Sequence, residues 1–180
     1  RKDGSLFTFY RARQGQKFAE SFDGGKTWNL GGYYPMQFSI NTKCILKTLP
    51  SGRVLLVAND VQMKDENGKT IHYYTDENGK QRELENHKTA RTRMTAYLSD
   101  DDGKTFTHKM LLCDEGQISY PSATLSKDGS IFIVYDQGRN VIGQHTIFLS
   151  KITEEDILAG KLVKGESFLN NIVSRPSDQG

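Results

Sequence analysis

The chain has 180 residues, enough to enclose one compact core, and its length predicts a single domain over residues 1–180. Its 24 Lys and Arg side chains nearly balance 22 Asp and Glu, which excludes the strongly basic surface typical of proteins that bind nucleic acid or anionic membranes. The longest apolar runs, such as IFIV at 131–134, are too short to span a membrane. The abrupt start, without an initiator Met or a leader sequence, indicates a piece of a longer protein.

The first predicted element is DGSLFTFYRAR at 3–13, in which a glycine turn leads into the buried strand LFTFY. A hairpin turn, SFDGGKTW at 21–28, follows it. We expect Asp23 to accept hydrogen bonds from backbone N–H groups of its own turn and Gly25 to adopt a positive φ. Trp28, the single tryptophan, is expected to pack the turn against its sheet. All of these roles are structural.

A second turn-plus-strand unit, SGRVLLVAND at 51–60, follows a predicted strand at 43–49. It ends on Asn59 and Asp60, which either line a pocket or form a polar turn. An insertion at 61–90 then carries DENGK twice, and its Asn-Gly pairs predict tight turns. We interpret it as a protruding hairpin, TIHYYT leading into KQREL. Its tyrosines either stack on a ligand ring, contact a neighbouring subunit or lie in solvent.

The turn motif recurs as SDDDGKTF at 99–106, between predicted strands at 93–99 and 107–112. Both copies follow the pattern Ser-x-Asp-x-Gly-x-Thr-aromatic. The shared positions are Ser21, Asp23, Gly25, Thr27 and Trp28 in the first copy and Ser99, Asp101, Gly103, Thr105 and Phe106 in the second.

Arg13 and Arg91 occupy equivalent positions, since each precedes the serine of its turn motif by eight residues. An arginine at the head of a strand that ends in the motif lies at the opposite end of that strand. We expect the two guanidinium groups to converge there as a bidentate clamp for a carboxylate. The alternative is a pair of surface arginines in salt bridges.

Tyr120 precedes Pro121 and a predicted strand at 121–126, so its hydroxyl is expected to point out of the core. A tyrosine phenol ordinarily ionises near pH 10. Flanking arginines would lower that pKa and make the oxygen a feasible nucleophile. The alternative is an amphipathic residue of the core or rim.

The third turn-plus-strand unit is DGSIFIVYDQGR at 128–139. Its last residues, Asp136, Gln137 and Arg139, either ring a pocket beside Tyr120 or form a polar turn with the intervening glycine. A strand is predicted at 144–152. The segment TEEDILAG after it is a short helix, capped by Thr153 and Asp156 and ended by Gly160.

No metal site and no cofactor are predicted. The four histidines, at positions 72, 87, 108 and 145, lack metal-ligand spacing. Cys44 and Cys113 lie 69 residues apart, and we expect two small buried side chains rather than a disulfide or a reactive thiol.

Many short strands, regular turns and repeated units predict an all-β repeat fold. Without the insertion, the units recur at roughly fifty residues, the length of a four-stranded β-propeller blade. The chain has room for about three such blades, whereas propellers typically need 4–8 to close. We therefore expect a partial β-propeller, whose open edges are covered by further blades or by self-association.

The two turn motifs resemble the Asp-box (BNR repeat) of sialidase-type propellers, and residues 3–159 resemble the C-terminal half of a six-bladed exo-α-sialidase. On this resemblance, the segment at 3–13 carries an arginine of the carboxylate-binding triad. The FYR context favours Arg11 for that role and the repeat spacing favours Arg13. RTRMTAYLS at 91–99 places another triad arginine at Arg91, with Arg93 as the alternative. SYPSATLS places the nucleophile at Tyr120.

The resemblance implies a retaining glycoside hydrolase in which tyrosine attacks the anomeric carbon of an acidic, sialoside-like sugar. It also implies a secreted, periplasmic or cell-surface location. The family's first arginine, acid/base aspartate and glutamate align before residue 1, so the chain alone is not expected to be a complete catalyst. The alternatives are a non-catalytic glycan-binding propeller and a protein-interaction propeller, in which the arginines would be dispersed among local carboxylates.

Overall fold

The computed structural model describes residues 1–12, 15–34, 42–60, 63–64, 70–71, 73–75, 81–83, 91–139 and 145–175. The all-β prediction is confirmed, because these residues form fifteen strands and one short helix. Three antiparallel sheets contain most of the strands and pack face to face as successive blades of a partial β-propeller. The number of blades in a closed propeller stays a prediction.

The strands follow one another as antiparallel meanders. The first sheet contains β1 (Leu6–Ala12), β2 (Gly15–Ser21) and β3 (Asn29–Tyr33), in that order. The second begins with β4 (Ile45–Thr48) and β5 (Val54–Asn59). Four short strands come next, β6 (Met63–Lys64) paired with β7 (Thr70–Ile71) and β8 (Tyr73–Thr75) paired with β9 (Gln81–Glu83). The second sheet is completed by β10 (Met94–Ser99) and β11 (His108–Cys113), in the order β11-β10-β5-β4.

The third sheet contains β12 (Ile118–Leu125), β13 (Ile131–Gln137), β14 (Thr146–Ile152) and β15 (Phe168–Ser174), in that order. The helix α1 (Glu154–Ala159) lies between its last two strands. The prediction of four-stranded blades holds for the second and third sheets, whereas the first sheet has three strands among the described residues.

The second sheet is the centre of the structure, and every residue of β5 and β10 is buried. Side chains of alternate residues leave a strand on opposite faces. Leu55, Ala96 and Leu98 accordingly pack toward the third sheet, whereas Leu56, Ala58 and Tyr97 pack toward the first. Two-sided packing explains why VLLVA is continuously apolar.

The other two repeated strands are buried on one face, contrary to the sequence-based prediction. In β1, Phe7 and Phe9 pack against the second sheet while Leu6 is exposed. In β13, Ile131 and Ile133 are buried while Val134 is exposed. Each of these sheets lies at one end of the described stack, so each has one uncovered face.

The two Asp-box turns are held by their own aspartates. Oδ1 of Asp23 accepts hydrogen bonds from the N–H groups of Lys26 and Thr27 at 3.0 and 2.9 Å, and the Thr27 hydroxyl donates to Oδ2 at 2.6 Å. Oδ1 of Asp101 accepts from the Thr105 N–H at 2.8 Å, and Oδ2 accepts from the Thr105 hydroxyl at 2.7 Å. The glycines have the positive φ that the turn requires, 91° at Gly25 and 83° at Gly103.

The aromatic residues of the two boxes differ in position. Phe106 is 6% exposed and belongs to the core between the first and second sheets. Trp28 is 40% exposed, and its indole N–H donates to the carbonyl of Gly25 at 3.1 Å. Trp28 therefore covers its own turn, and its packing against the sheet stays a prediction.

In the third sheet a buried aspartate organises the connection between β14 and β15. Thr153 and Asp156 form the predicted capping box of α1, and Gly160 ends the helix at a φ of 68°. The carboxylate of Asp156 also accepts hydrogen bonds from the N–H groups of Val163 and Lys164. A single carboxylate thus fixes this connection, as in the box turns.

Candidate functional site

Tyr120 lies in a strained stretch of β12. Its φ is 55°, a left-handed value that is unusual for a bulky side chain. The pairing register of β12 with β13 shifts between Ser119 and Ser122, and Pro121 sits within that shift. β12 itself begins at Ile118, three residues before the predicted start at 121. Such backbone outliers cluster at functional sites, so the surroundings of Tyr120 are a candidate functional site.

Three arginines, one associated with each sheet, surround the Tyr120 side chain. Nη1 of Arg11, in β1, donates a hydrogen bond to the Tyr120 hydroxyl at 3.3 Å. The guanidinium carbon of Arg139, which follows β13, lies 4.1 Å from the centroid of the tyrosine ring. The corresponding distance for Arg91, which precedes β10, is 5.5 Å. The structure thus brings Arg11, Arg91 and Arg139 together with Tyr120.

This cluster lies at the opposite end of the strands from the Asp-box turns. β2 and β10 both run toward a box, whose serine is the last residue of each strand. Arg91 lies just before β10, and Arg11 pairs with Gln16 near the start of β2. Strands of six or seven residues separate the two ends by roughly 20 Å. The box turns therefore do not contribute side chains to this cluster.

The arginines change the acidity of the phenol. The hydrogen bond from Arg11 holds the pKa of Tyr120 below its ordinary value of 10.0, although partial desolvation opposes this effect. The positive charges of Arg11, Arg91 and Arg139 act in the same direction as the hydrogen bond. The phenolate is therefore easier to form here than on a tyrosine in water.

A buried carboxylate lies behind the cluster. Asp136 is 3% exposed and forms an ion pair with Arg139. Oδ1 of Asp136 accepts a hydrogen bond from the Ser119 hydroxyl at 2.8 Å, and the Ser119 oxygen accepts one from Nη1 of Arg91 at 3.2 Å. Nε2 of His145 lies 3.4 Å from Oδ2 of Asp136.

The remaining candidates lie elsewhere. Nη1 of Arg93, the alternative to Arg91, lies 3.3 Å from Oδ1 of Asp114 rather than beside Tyr120. The backbone φ of Arg93 is 53°. Arg13 lies outside the described residues, as do His72 and His87. The side chains of the insertion at 61–90, including its tyrosines, are likewise outside the described part of the chain.

Three other polar residues at this end of the sheets have structural partners. The amide of Asn59 donates to the carbonyls of Thr92 and Ile118, both at 2.9 Å. Asp60 accepts from Nζ of Lys109 at 3.1 Å. Gln137 donates to Glu115 at 2.6 Å and to a backbone carbonyl nearby. These contacts join separate segments of the chain and give the three residues structural partners, while the choice between a pocket and a polar turn stays a prediction.

Arg11 is exposed and Arg91 is half-buried. Across the described residues, neither forms an ion pair with a carboxylate. Arginine presents two parallel N–H groups that match the oxygens of a carboxylate or phosphate. The arrangement can therefore hold an anionic group beside the oxygen of Tyr120.

In the described part of the chain, no group of three His, Cys, Asp or Glu side chains is placed to hold a metal ion. Cys44 and Cys113 are both free thiols, the first half-buried and the second buried. Burial raises the pKa of the Cys113 thiol to about 11 and that of Cys44 to about 12, so neither is a ready nucleophile.

Comparison with known proteins identifies the family. The model of the BNR repeat-like domain matches residues 1–133. The chain belongs to the BNR repeat-like domain family. No curated protein sequence matches it.

Within the described ranges, no helix has the length and apolarity needed to cross a membrane.

Solved structures share the fold of this BNR repeat-like chain. One is an α-L-arabinanase of Penicillium chrysogenum complexed with arabinobiose, at 17% identity and a TM-score of 0.53, covering 97% of this chain and 48% of that one. Another is the α-L-arabinofuranosidase Arb93A of Fusarium graminearum with an iminosugar inhibitor, at 15% identity and a TM-score of 0.50, covering 93% and 47%. The chain thus spans about half the length of the structures it matches.

Proposed function

We propose that the protein containing this chain is a carbohydrate-active β-propeller that binds an acidic sugar and hydrolyses its glycosidic bond in the manner of an exo-α-sialidase. The observation that carries the proposal is the position of Arg11 and Arg91, which form no ion pair among the described residues, beside the hydroxyl and ring of Tyr120. Membership of the BNR repeat-like family supports a propeller scaffold. The arabinose-directed enzymes that share the fold support an action on carbohydrate.

The charges favour an acidic sugar over a neutral one such as arabinose. A neutral ring could accept hydrogen bonds from Arg11, which is exposed, and Arg91, which is half-buried, but it would leave their charges without the ion-pair partner that no described residue supplies. A sugar carboxylate, by contrast, would satisfy both arginines through charge-assisted hydrogen bonds. We therefore assign Arg11 and Arg91 to the carboxylate, and we retain a sialoside-like sugar as the substrate class.

Tyr120 is suited to attack a sugar that already carries a negative charge. A neutral phenol is not repelled by the substrate carboxylate, as an aspartate or glutamate nucleophile would be. In the proposed step, the Tyr120 oxygen loses its proton to a base and bonds to the anomeric carbon while the glycosidic bond breaks. The departing oxygen takes a proton from an acid, and water later cleaves the tyrosyl–sugar bond. On the sialidase resemblance, base and acid belong to the part of the site that aligns before residue 1.

The test compares the full-length protein with its Tyr120→Phe variant on methylumbelliferyl glycosides of N-acetylneuraminic acid, glucuronic acid and arabinofuranose. We expect turnover of an acidic glycoside, a loss of roughly a thousandfold or more in kcat for the variant, and little change in binding. Tyr10→Phe is the matched control, because Tyr10 lies on the opposite face of β1 from Arg11.

Three outcomes decide between the functions. Turnover of the arabinofuranoside alone would overturn the acidic substrate. Equal turnover by wild type and Tyr120→Phe would remove the nucleophile assignment. Binding of an acidic sugar without any turnover would favour a glycan-binding propeller, in which the arginine clamp remains and the chemistry does not.

A further inference from the structure

The carboxylate of Asp136 occupies a position from which it supports the cluster rather than meeting a ligand. It is buried at the end of β13, where its backbone pairs with Ser119 on one side and Ile147 on the other. Its two oxygens already face the Ser119 hydroxyl, the Arg139 guanidinium and the His145 ring. An oxygen committed to such partners has little capacity left for a substrate hydroxyl.

We propose that Asp136 and Ser119 form a positioning relay that fixes Arg139 and Arg91 beside Tyr120. Asp136 holds Arg139 directly, through an ion pair. It holds Arg91 indirectly, because the Ser119 hydroxyl donates its one hydrogen to Asp136 and thereby turns a lone pair toward Arg91. The assignment of Arg91 to a substrate carboxylate rests on the proposed function, whereas the relay itself rests on these contacts.

The intervening serine explains how Arg91 can be held and still be available. A direct ion pair with Asp136 would neutralise Arg91 and compete with any incoming carboxylate. A neutral hydroxyl fixes one N–H of Arg91 and leaves its charge unpaired, within the described contacts. Arg139 is instead neutralised by Asp136, and its guanidinium carbon lies over the tyrosine ring, 4.1 Å from the centroid. On this proposal the two arginines have different tasks, and Asp136 and Arg139 are assigned a positioning role in place of the predicted substrate binding.

The decisive experiment is a double-mutant cycle of Ser119→Ala and Arg91→Ala in the full-length protein. It is measured on two quantities, the affinity for N-acetylneuraminic acid by calorimetry and the pKa of Tyr120 by ultraviolet difference titration against Tyr120→Phe. Ser119→Ala removes no charge, so any change in the phenol must come through neighbours that move. Ser122→Ala is the matched control, since Ser122 is an exposed residue of the same strand.

We expect Ser119→Ala to weaken sugar binding about ten- to a hundredfold, the value of a hydrogen bond to a charged group, and to raise KM more than it lowers kcat. We also expect it to raise the pKa of Tyr120. Both effects should vanish when Arg91 is already alanine, because Ser119 then has no arginine to hold. Asp136→Asn should weaken binding more than Ser119→Ala, since it releases both arginines.

Additive effects of Ser119→Ala and Arg91→Ala would overturn the relay, because they would mean that the serine acts without the arginine. A Tyr120 pKa that Ser119→Ala leaves unchanged would also overturn it. These outcomes are separable from failure of the proposed function. If no acidic sugar binds, the function fails, and the titration of Tyr120 still decides the relay. If Asp136→Asn does not fold, the Ser119→Ala cycle decides alone.

Discussion

Arg11 donates a hydrogen bond of 3.3 Å to the hydroxyl of Tyr120, across 109 residues of sequence. The arginine belongs to β1 of the first sheet and the tyrosine to β12 of the third. The contact therefore bridges the second sheet, which lies between them. A small change in how these blades pack would separate donor from acceptor, so the acidity of Tyr120 depends on the assembled sheets.

Arg11→Ala should raise the pKa of Tyr120 toward its ordinary value, because the hydrogen bond from Arg11 is the main cause that lowers it. At any given pH the phenolate fraction then falls. The limb on which kcat/KM rises with pH should consequently move to higher pH. Ultraviolet difference titration and a pH–rate profile measure the two shifts.

The control for this prediction is Arg53→Ala. Arg53 pairs with Asp100 and Glu154 at the box end of the sheets, so its removal should leave the Tyr120 titration unchanged. An equal shift in both variants would mean that overall charge, rather than the Arg11 contact, sets the pKa.

Asn59→Ala should destabilise the fold by roughly 2–4 kcal/mol. Asn59 is fully buried, and its amide is the hydrogen-bond donor to the carbonyls of Thr92 and Ile118. Alanine would leave two buried carbonyl groups without this partner. Urea denaturation of the variant measures the loss, and the exposed Asn171→Ala gives the baseline, expected within about 0.5 kcal/mol of wild type. A loss of unfolding free energy no larger than that of Asn171→Ala would mean that the hydrogen bonds of Asn59 do not stabilise the fold.

The sequence predicts those parts of the fold in which local and tertiary preferences agree. The runs VLLVA and IFIVY are both rich in strand-forming residues and both form strands. The helix α1 is predicted because its capping box lies within four consecutive residues. By contrast, β3 contains two adjacent glycines, which disfavour a strand, and it forms through pairing with β2.

The sequence predicts only some of the residues of the candidate site. Family resemblance selects Tyr120 and Arg91, and its FYR context favours Arg11, whereas the repeat spacing favours Arg13, which lies outside the described residues. The structure brings Tyr120, Arg11 and Arg91 together. Repeat spacing and family resemblance do not predict Ser119 as a site residue. In a regular strand, side chains alternate between faces, so a residue next to Tyr120 would point to the opposite face. The left-handed φ of Tyr120 breaks that alternation, and it is visible only in the folded chain.

Gly31→Ala should destabilise the first sheet by about 1–3 kcal/mol through overpacking. A Cβ at this position would lie 2.3 Å from the ring of Phe18. That ring packs among Phe7 and Tyr34, so it has little room to move. Gly32→Ala is the matched control in the same strand, because nothing lies within 4 Å of its added Cβ. Equal thermal midpoints for the two variants would contradict the packing argument.

The Asp-box turns should make the stability of the fold depend on pH in the acid range. Hydrogen bonds from the Thr27 hydroxyl and N–H lower the pKa of Asp23 from 3.8 to about 2. For Asp101, partial burial raises the pKa, but hydrogen bonds from Thr105 and Ser99 outweigh it and bring the value to about 2. A carboxyl group whose pKa is lowered by folding stabilises the folded state above its unfolded pKa. That contribution is lost as the pH falls from about 4 toward 2, where the folded group takes up its proton.

Asp101→Asn should therefore lower the free energy of unfolding at neutral pH and flatten its fall below about pH 4, because the substituted side chain has no proton to gain. Urea denaturation at about pH 7, 4 and 3 measures both effects. Asp102→Asn is the control, since the described contact of Asp102 is made by its backbone carbonyl. If the two variants lose stability in parallel as the pH falls, the box carboxylates do not account for the acid dependence. A flatter curve for Asp101→Asn alone assigns that dependence to the hydrogen bonds inside the turn.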